Sequence, residues 1–170
     1  MRDRQETFIE KLHECNQHKK RLLSAKNRLK NFMPLDVNKY NKLDETTISI
    51  IDQMIFRFSK LQDSMGEKIF PSILELVGEK VKQMTFIDRL NRLEELGLVD
   101  REKWMSLRRE RNEIAHEYSF NQDEVVDGIN LIFERVDELL KIYRVFYLYS
   151  FEKFDFVRKN GWVKCQEDQE

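Results

Sequence analysis

The chain has 170 residues, 41% of them hydrophobic and 36% charged, with 30 Lys and Arg against 31 Asp and Glu. That length fits one domain, or one domain with a tail, and is enough to bury a sizeable core. The balance excludes a disordered chain, and the net charge of −1 excludes a protein that coats nucleic acid by charge alone, because phosphate neutralisation drives such binding.

Any nucleic-acid contact must therefore be local, at a basic cleft, or shared between subunits. Five Gly and two Pro leave few sharp turns and favour a small number of long helices. No run of about 18 apolar residues occurs, so no membrane span is expected. The opening stretch "MRDRQETFIE" has no apolar signal core, which points to a cytoplasmic protein. Cys15 and Cys165 are far apart and read as cytosolic thiols rather than a disulfide framework.

In chain order, the first predicted helix covers residues 4–32, with Phe8, Leu12, Cys15, Leu22, Leu29 and Phe32 near one stripe. "MPLDVNKYN" breaks it at Pro34. A second helix is predicted over 45–65, carried by Ile48, Ile51, Met54, Ile55, Phe58, Leu61 and Met65. Gly66 and Pro71 then punctuate the chain, and "PSILELVGE" reads as a short helix or the far side of a kink. Thr85 with Asp88 forms a capping arrangement before "FIDRLNRLEELG", and Gly97 closes that helix. Asp100 caps "REKWMSLRRERNEIAHEY". Asn121 with Glu124 opens a last long helix, with Val125, Ile129, Ile132, Phe133, Val136, Leu139, Leu140, Tyr143 and Phe146 on its apolar face. The expected fold is all-α, an up-and-down bundle of four to five helices over 1–150, with a C-terminal extension or tail over 151–170, whose end "VRKNGWVKCQEDQE" is mixed, polar and loosely ordered apart from a docking Trp162.

The chemistry concentrates in "RRERNEIAHEYSF", residues 108–120. At about 100° per residue, with Arg111 at zero, Trp104, Leu107, Ile114 and Tyr118 fall on a core-facing stripe. Ala115, Arg108, Asn112 and His116 follow at about 40°, 60°, 100° and 140°, while Glu110, Glu113 and Glu117 face water. Small Ala115 leaves room for a ligand group between guanidinium and imidazole. Arginine offers a planar fork that matches a phosphate and stays charged. Histidine titrates near neutral pH and can move a proton. Together they suit metal-free RNA cleavage: the ribose 2′-OH attacks the adjacent phosphate, His116 handles a proton, and Arg111 stabilises charge on the phosphoryl oxygens. Asn112 orients the histidine or the phosphate, and the Tyr118 hydroxyl sits at the rim. The plainer reading of the same residues is chance spacing, with an arginine compensating the helix dipole.

"RNEIAHEY" resembles the Arg-x4-His-x-Tyr signature of HEPN domains, in the subgroup called HepT. The match covers residues 108–118, and a long helix follows it, as the family pattern requires. The resemblance implies an all-α bundle that forms a homodimer with its motifs facing each other across a cleft. It implies a metal-independent endoribonuclease toxin with Arg111 and His116 catalytic, Asn112 and Tyr118 supporting, and no cofactor. Two copies of Arg108, Arg109 and Arg111 would concentrate positive charge on RNA phosphate. The implied partner is an antitoxin of the minimal nucleotidyltransferase type, which in one branch of the family adenylylates the motif tyrosine, here Tyr118. The alternative is a catalytically silent HEPN subunit that binds or regulates a nucleotidyltransferase.

Other groups are weaker. His13, Cys15 and His18 lack a fourth ligand, and Cys15 falls on the apolar stripe, so no metal site is expected. "KKRLLSAKNRLK" has six basic residues and no acid; it is a solvated face or a surface that steers RNA. Phe56, Phe58, Phe70 and Phe86 sit among helical-period aliphatics and read as core or interface rather than stacking platforms.

Overall fold

The computed structural model describes residues 3–114 and 120–160. The described residues are all-helical, with no strand. Helix α1 is Arg4–Leu29, α2 Val37–Asn41, α3 Glu45–Ser64, α4 Phe70–Leu76, α5 Phe86–Glu95, α6 Arg101–Ile114, α7 Gln122–Lys153 and α8 Asp155–Lys159. The chain divides into two compact units, and α1, α3 and α7 each contribute to both.

The local signals explain most element ends. Thr85 and Asp88 form a reciprocal capping box: the Asp88 carboxylate accepts the Thr85 backbone N–H at 2.8 Å, and the Thr85 hydroxyl accepts the Asp88 N–H at 3.1 Å. The Thr85 hydroxyl, which also donates to the Asp88 carboxylate at 2.8 Å, and then the Thr85 N–H hold the Asp88 carboxyl below its ordinary pKa. After α5, the Leu98 N–H bonds the Leu93 carbonyl and the Gly97 N–H bonds that of Glu94, with Gly97 at φ 74°. This paired closure needs a left-handed residue, which glycine supplies without steric cost. Asn121 caps α7 by accepting the Asp123 N–H at 3.1 Å. The first N–H of α6, on Arg101, goes to the Glu94 carboxylate at 2.7 Å.

Two expectations change. Helix α1 ends at Leu29, three residues early, and Phe32 leaves the stripe to stand exposed in the following turn. The short helix read after Gly66 and Pro71 is α4, and it joins α3 without a gap: Met65–Ile69 forms a π-helical turn, in which the Phe70 N–H reaches back five residues to the Met65 carbonyl, and α4 follows directly. Pro71 lacks an N–H, and its ring would press on the carbonyl four residues back in an α-helix. Widening the turn removes that conflict. After Phe151 the chain continues α7 to Lys153 and forms α8, with Phe154 and Val157 buried, so the stretch read as loosely ordered from Val157 begins inside a helix; Trp162 lies outside the described residues. Helix α2 also appears inside the segment expected only to break α1, capped by Asp36 accepting the Lys39 N–H at 2.7 Å.

One unit comprises residues 1–16, 63–101 and 141–170. Among its described residues Phe8, Leu12, Ile69, Phe70, Ile73, Leu90, Tyr143 and Phe146 are buried, with Phe70 and Phe146 stacked at 4.5 Å. The Tyr143 hydroxyl donates to Asn16 Oδ1 at 2.7 Å, which satisfies a hydroxyl that burial pushes well above its ordinary pKa. Glu14 accepts from the Ser64 hydroxyl and, twice, from the Lys68 ammonium. Phe154 stands edge-on to Phe8, which explains why the last helical turn is ordered onto this core.

The second unit comprises residues 17–62 and 102–140. Its core holds Leu22, Leu29, Met54, Phe58, Leu61, Trp104, Leu107, Ile129, Ile132, Val136 and Leu139. The Asn130 side-chain amide clamps Leu35, accepting its N–H and donating to its carbonyl, both at 2.8 Å. Both backbone polar groups of a buried loop residue are thereby satisfied. Lys26 lays its stem over the Phe133 ring and places its ammonium 2.7 Å from Asp137. Helices α6 and α7 run antiparallel here: Ile114 lies beside Gly128, and Glu110 pairs with Arg135.

Candidate functional site

The candidate site sits at the end of α6, in the second unit. Trp104 and Leu107 are buried, as the helical wheel requires, and Ile114 is half-buried. Arg111 shares that face and is half-buried rather than solvated. Its Nε donates to the Gln62 side-chain oxygen on α3 at 3.2 Å. Gln62 is itself only 2% exposed. Asn112 is exposed, one step round the helix from Arg111. Ala115, His116 and Tyr118 lie outside the described residues.

Arg108 is half-buried and Arg109 exposed. Arg109 lines an open groove of about 440 Å³ with Lys103, Arg135, Glu102 and Glu138. Three cations and two carboxylates make that groove mixed in sign within one chain. One face of α6 thus presents Arg111 toward α3, and another presents Arg109 beside α7.

Glu110 departs from the expected pattern. It does not face open water: its side chain is 18% exposed and accepts two hydrogen bonds from Arg135, at 2.8 Å and 3.2 Å. That pairing raises the Arg135 pKa further above its already high value. The pair ties α6 to α7 one residue before Arg111. The other tie is steric. A Cβ at Gly128 would stand 3.1 Å from Ile114 Cγ1, so glycine is what lets α7 approach the last described turn of α6.

The secondary candidates resolve simply. Cys15 is buried, and burial, with a smaller contribution from Glu14, pushes its thiol up to about 12 against the opposing pull of Lys68. A metal would need the thiolate, so this cysteine is poorly suited as a ligand. His18 Nδ1 lies 3.0 Å from Arg57 Nη1. A guanidinium only donates, so this contact makes Nδ1 the acceptor and places the imidazole proton on Nε2. Among the described residues no group of three or more His, Cys, Asp or Glu could hold a metal ion. Of the phenylalanines, Phe58 and Phe70 are core, Phe86 is half-buried, and Phe56 is 51% exposed with Arg57 and Lys60 near its ring. In the basic run of α1, Lys20, Arg21, Arg28 and Lys30 are exposed, whereas Lys26 is spent on Asp137 and Phe133. No described helix is long and apolar enough to cross a membrane.

Gln62 was missed by the sequence reading, although a signal for it exists. It lies four residues after Phe58 and next to Leu61, within the buried arc of α3. A carboxamide in an apolar arc asks for a partner. Compared with known proteins, the chain matches no family model, no curated protein and no solved structure.

Proposed function

We propose that the chain is a metal-independent endoribonuclease toxin of the HEPN type, acting as a homodimer and neutralised by a minimal nucleotidyltransferase antitoxin. The observation that carries this reading is the placement of Arg111. An arginine kept only to balance a helix dipole needs no side-chain partner on another helix. Arg111 is instead half-buried, with its Nε spent on a buried amide. That arrangement supports a guanidinium held for recognition, since a fixed planar fork matches a phosphate.

In the proposed reaction the ribose 2′-OH attacks the adjacent phosphorus and the bond to the 5′-oxygen breaks. His116 transfers the proton, Arg111 stabilises the phosphoryl oxygens, and the products are a 2′,3′-cyclic phosphate and a 5′-hydroxyl. Asn112, exposed beside Arg111, orients the phosphate or the histidine. Arg108 and Arg109 contact flanking phosphates, and pairing two subunits supplies the local positive field that a chain of net charge −1 otherwise lacks. The antitoxin transfers AMP from ATP to the Tyr118 hydroxyl with release of pyrophosphate and the hydroxyl proton, and the added anion blocks phosphate by occupancy and charge.

Expression of the chain alone, and together with the nucleotidyltransferase encoded beside it, tests the reading. The expected result is growth arrest with RNA decay, both relieved by the partner and both absent in His116→Ala. Normal growth and intact RNA with the wild-type chain would favour a silent subunit of the nucleotidyltransferase.

A further inference from the structure

Gln62 presents a physical contradiction. It is 2% exposed, and its side-chain oxygen accepts from Arg111 Nε, but its amide nitrogen is buried with no hydrogen-bond partner. The orientation is forced, because a guanidinium has no acceptor and only the amide oxygen can face it. A buried donor without an acceptor loses its water bonds and gains nothing in return. Its neighbours on the same arc of α3, Phe58 and Leu61, are fully buried and apolar. A methionine there would fill similar space without the desolvation loss. Gln62 is therefore a poor choice for stability at its own position. What it supplies is one oxygen, aimed at one nitrogen of Arg111.

Resting on the HEPN-type reading above, we propose that Gln62 is a positioning residue for phosphate recognition by Arg111. The bond is long-range, joining α3 to α6 across 49 residues of sequence. It engages Nε, the donor nearest the stem, and so fixes the rotation of the guanidinium plane. The terminal nitrogens carry the paired N–H bonds whose spacing suits two phosphate oxygens. Without the Gln62 oxygen the arginine keeps its charge and loses the partner that holds Nε, so the defect falls on turnover rather than on binding, which charge alone supports. Stability held below its optimum at a functional residue is the expected signature of such a role.

The test uses the purified full chain with two substitutions, Gln62→Met and Gln62→Glu, and an RNA oligonucleotide. Gln62→Met is expected to melt at or above the wild-type temperature while kcat falls about 10- to 100-fold with KM little changed. Gln62→Glu restores an acceptor and is expected to recover most of the lost kcat. A lowered melting temperature in Gln62→Met with full turnover would mean the residue serves packing, and would overturn the proposal. A second readout does not depend on cleavage. The Arg111 Nε–H proton, followed by heteronuclear NMR, is expected to exchange slowly with water in the wild type and at least about tenfold faster in Gln62→Met. If the wild type cleaves no RNA, the nuclease reading fails and this exchange rate alone decides the positioning claim. Rapid exchange in the wild type would overturn it, as would unchanged exchange in Gln62→Met.

Discussion

The approach of α7 to the end of α6 is set by the absence of a side chain at Gly128, and a double-mutant cycle can measure it. Gly128 lies within α7, where Gly→Ala normally stabilises by about 0.8–1.0 kcal/mol through helix propensity alone. Here the new Cβ would stand 3.1 Å from Ile114 Cγ1, 3.7 Å from Cγ2 and 3.9 Å from Cβ. Carbon pairs settle at about 3.5–4.0 Å, so the first contact is too tight by roughly 0.5 Å. Ile114 is β-branched and keeps essentially one rotamer in a helix, so the strain passes to the backbone. Overpacking of this kind costs about 1–3 kcal/mol. Gly128→Ala should therefore be neutral to about 2 kcal/mol destabilising. In an Ile114→Ala background the obstacle is gone, and the same substitution should stabilise by about 1 kcal/mol. The coupling should reach at least about 1 kcal/mol. Urea unfolding of the four proteins reads it directly, and thermal melts should show about 2–4 °C per kcal/mol. Full stabilisation by Gly128→Ala in both backgrounds would show that the two helices are not in contact there.

Arg135→Met should destabilise by about 1–2 kcal/mol, between the exposed and buried limits for ion pairs, because Glu110 would keep its charge at 18% exposure. Adding Glu110→Gln should return most of the loss in the same urea titration; no recovery would mean that the packing of the arginine stem is what counts. Cys15 should make stability fall at alkaline pH. Its folded pKa, pushed up to about 12, exceeds the ordinary thiol value of 9.0, so its contribution is complete below about 9 and is lost as pH rises toward 12. Melting temperatures from pH 8 upward should decline less steeply in Cys15→Ala, and identical slopes would count against a protonated, buried thiol. Arg111→Lys should cut RNA cleavage severely while the chain stays folded, since an ammonium reproduces neither the fork nor the Nε bond to Gln62; wild-type rates in that variant would reduce Arg111 to a charge.

What was legible in the sequence was local. The Thr85–Asp88 box, the glycine closure at Gly97 and the Asn121 cap each depend on residues within a few positions, and each formed as its pattern required. The apolar stripes were equally legible, because burial repeats with the helical turn, and Leu12, Leu22, Met54, Phe58, Ile132 and Phe146 all came out buried. The remainder lay where two local rules compete or where a partner lies far along the chain. Gly66 and Pro71 mark a short helix or a kink, and spacing alone does not show that a π turn carries the chain past the proline while its apolar stripe continues through Ile69 and Phe70. Glu110 looks solvated on a lone helix until Arg135 arrives on α7. Arg111 could be placed on the core-facing arc from spacing, but nothing within α6 reveals that its companion is Gln62.

The central claim is that Arg111 and His116 cleave RNA through its own 2′-hydroxyl. The most direct test gives the purified chain an end-labelled oligoribonucleotide in the presence of a metal chelator, alongside the same oligomer with a single 2′-deoxy substitution at the cleaved linkage. The account predicts cleavage of the first at undiminished rate, products ending in a 2′,3′-cyclic phosphate, and no cut at the substituted linkage. Cleavage of the 2′-deoxy linkage, loss of activity on chelation, or full activity in His116→Ala would contradict it.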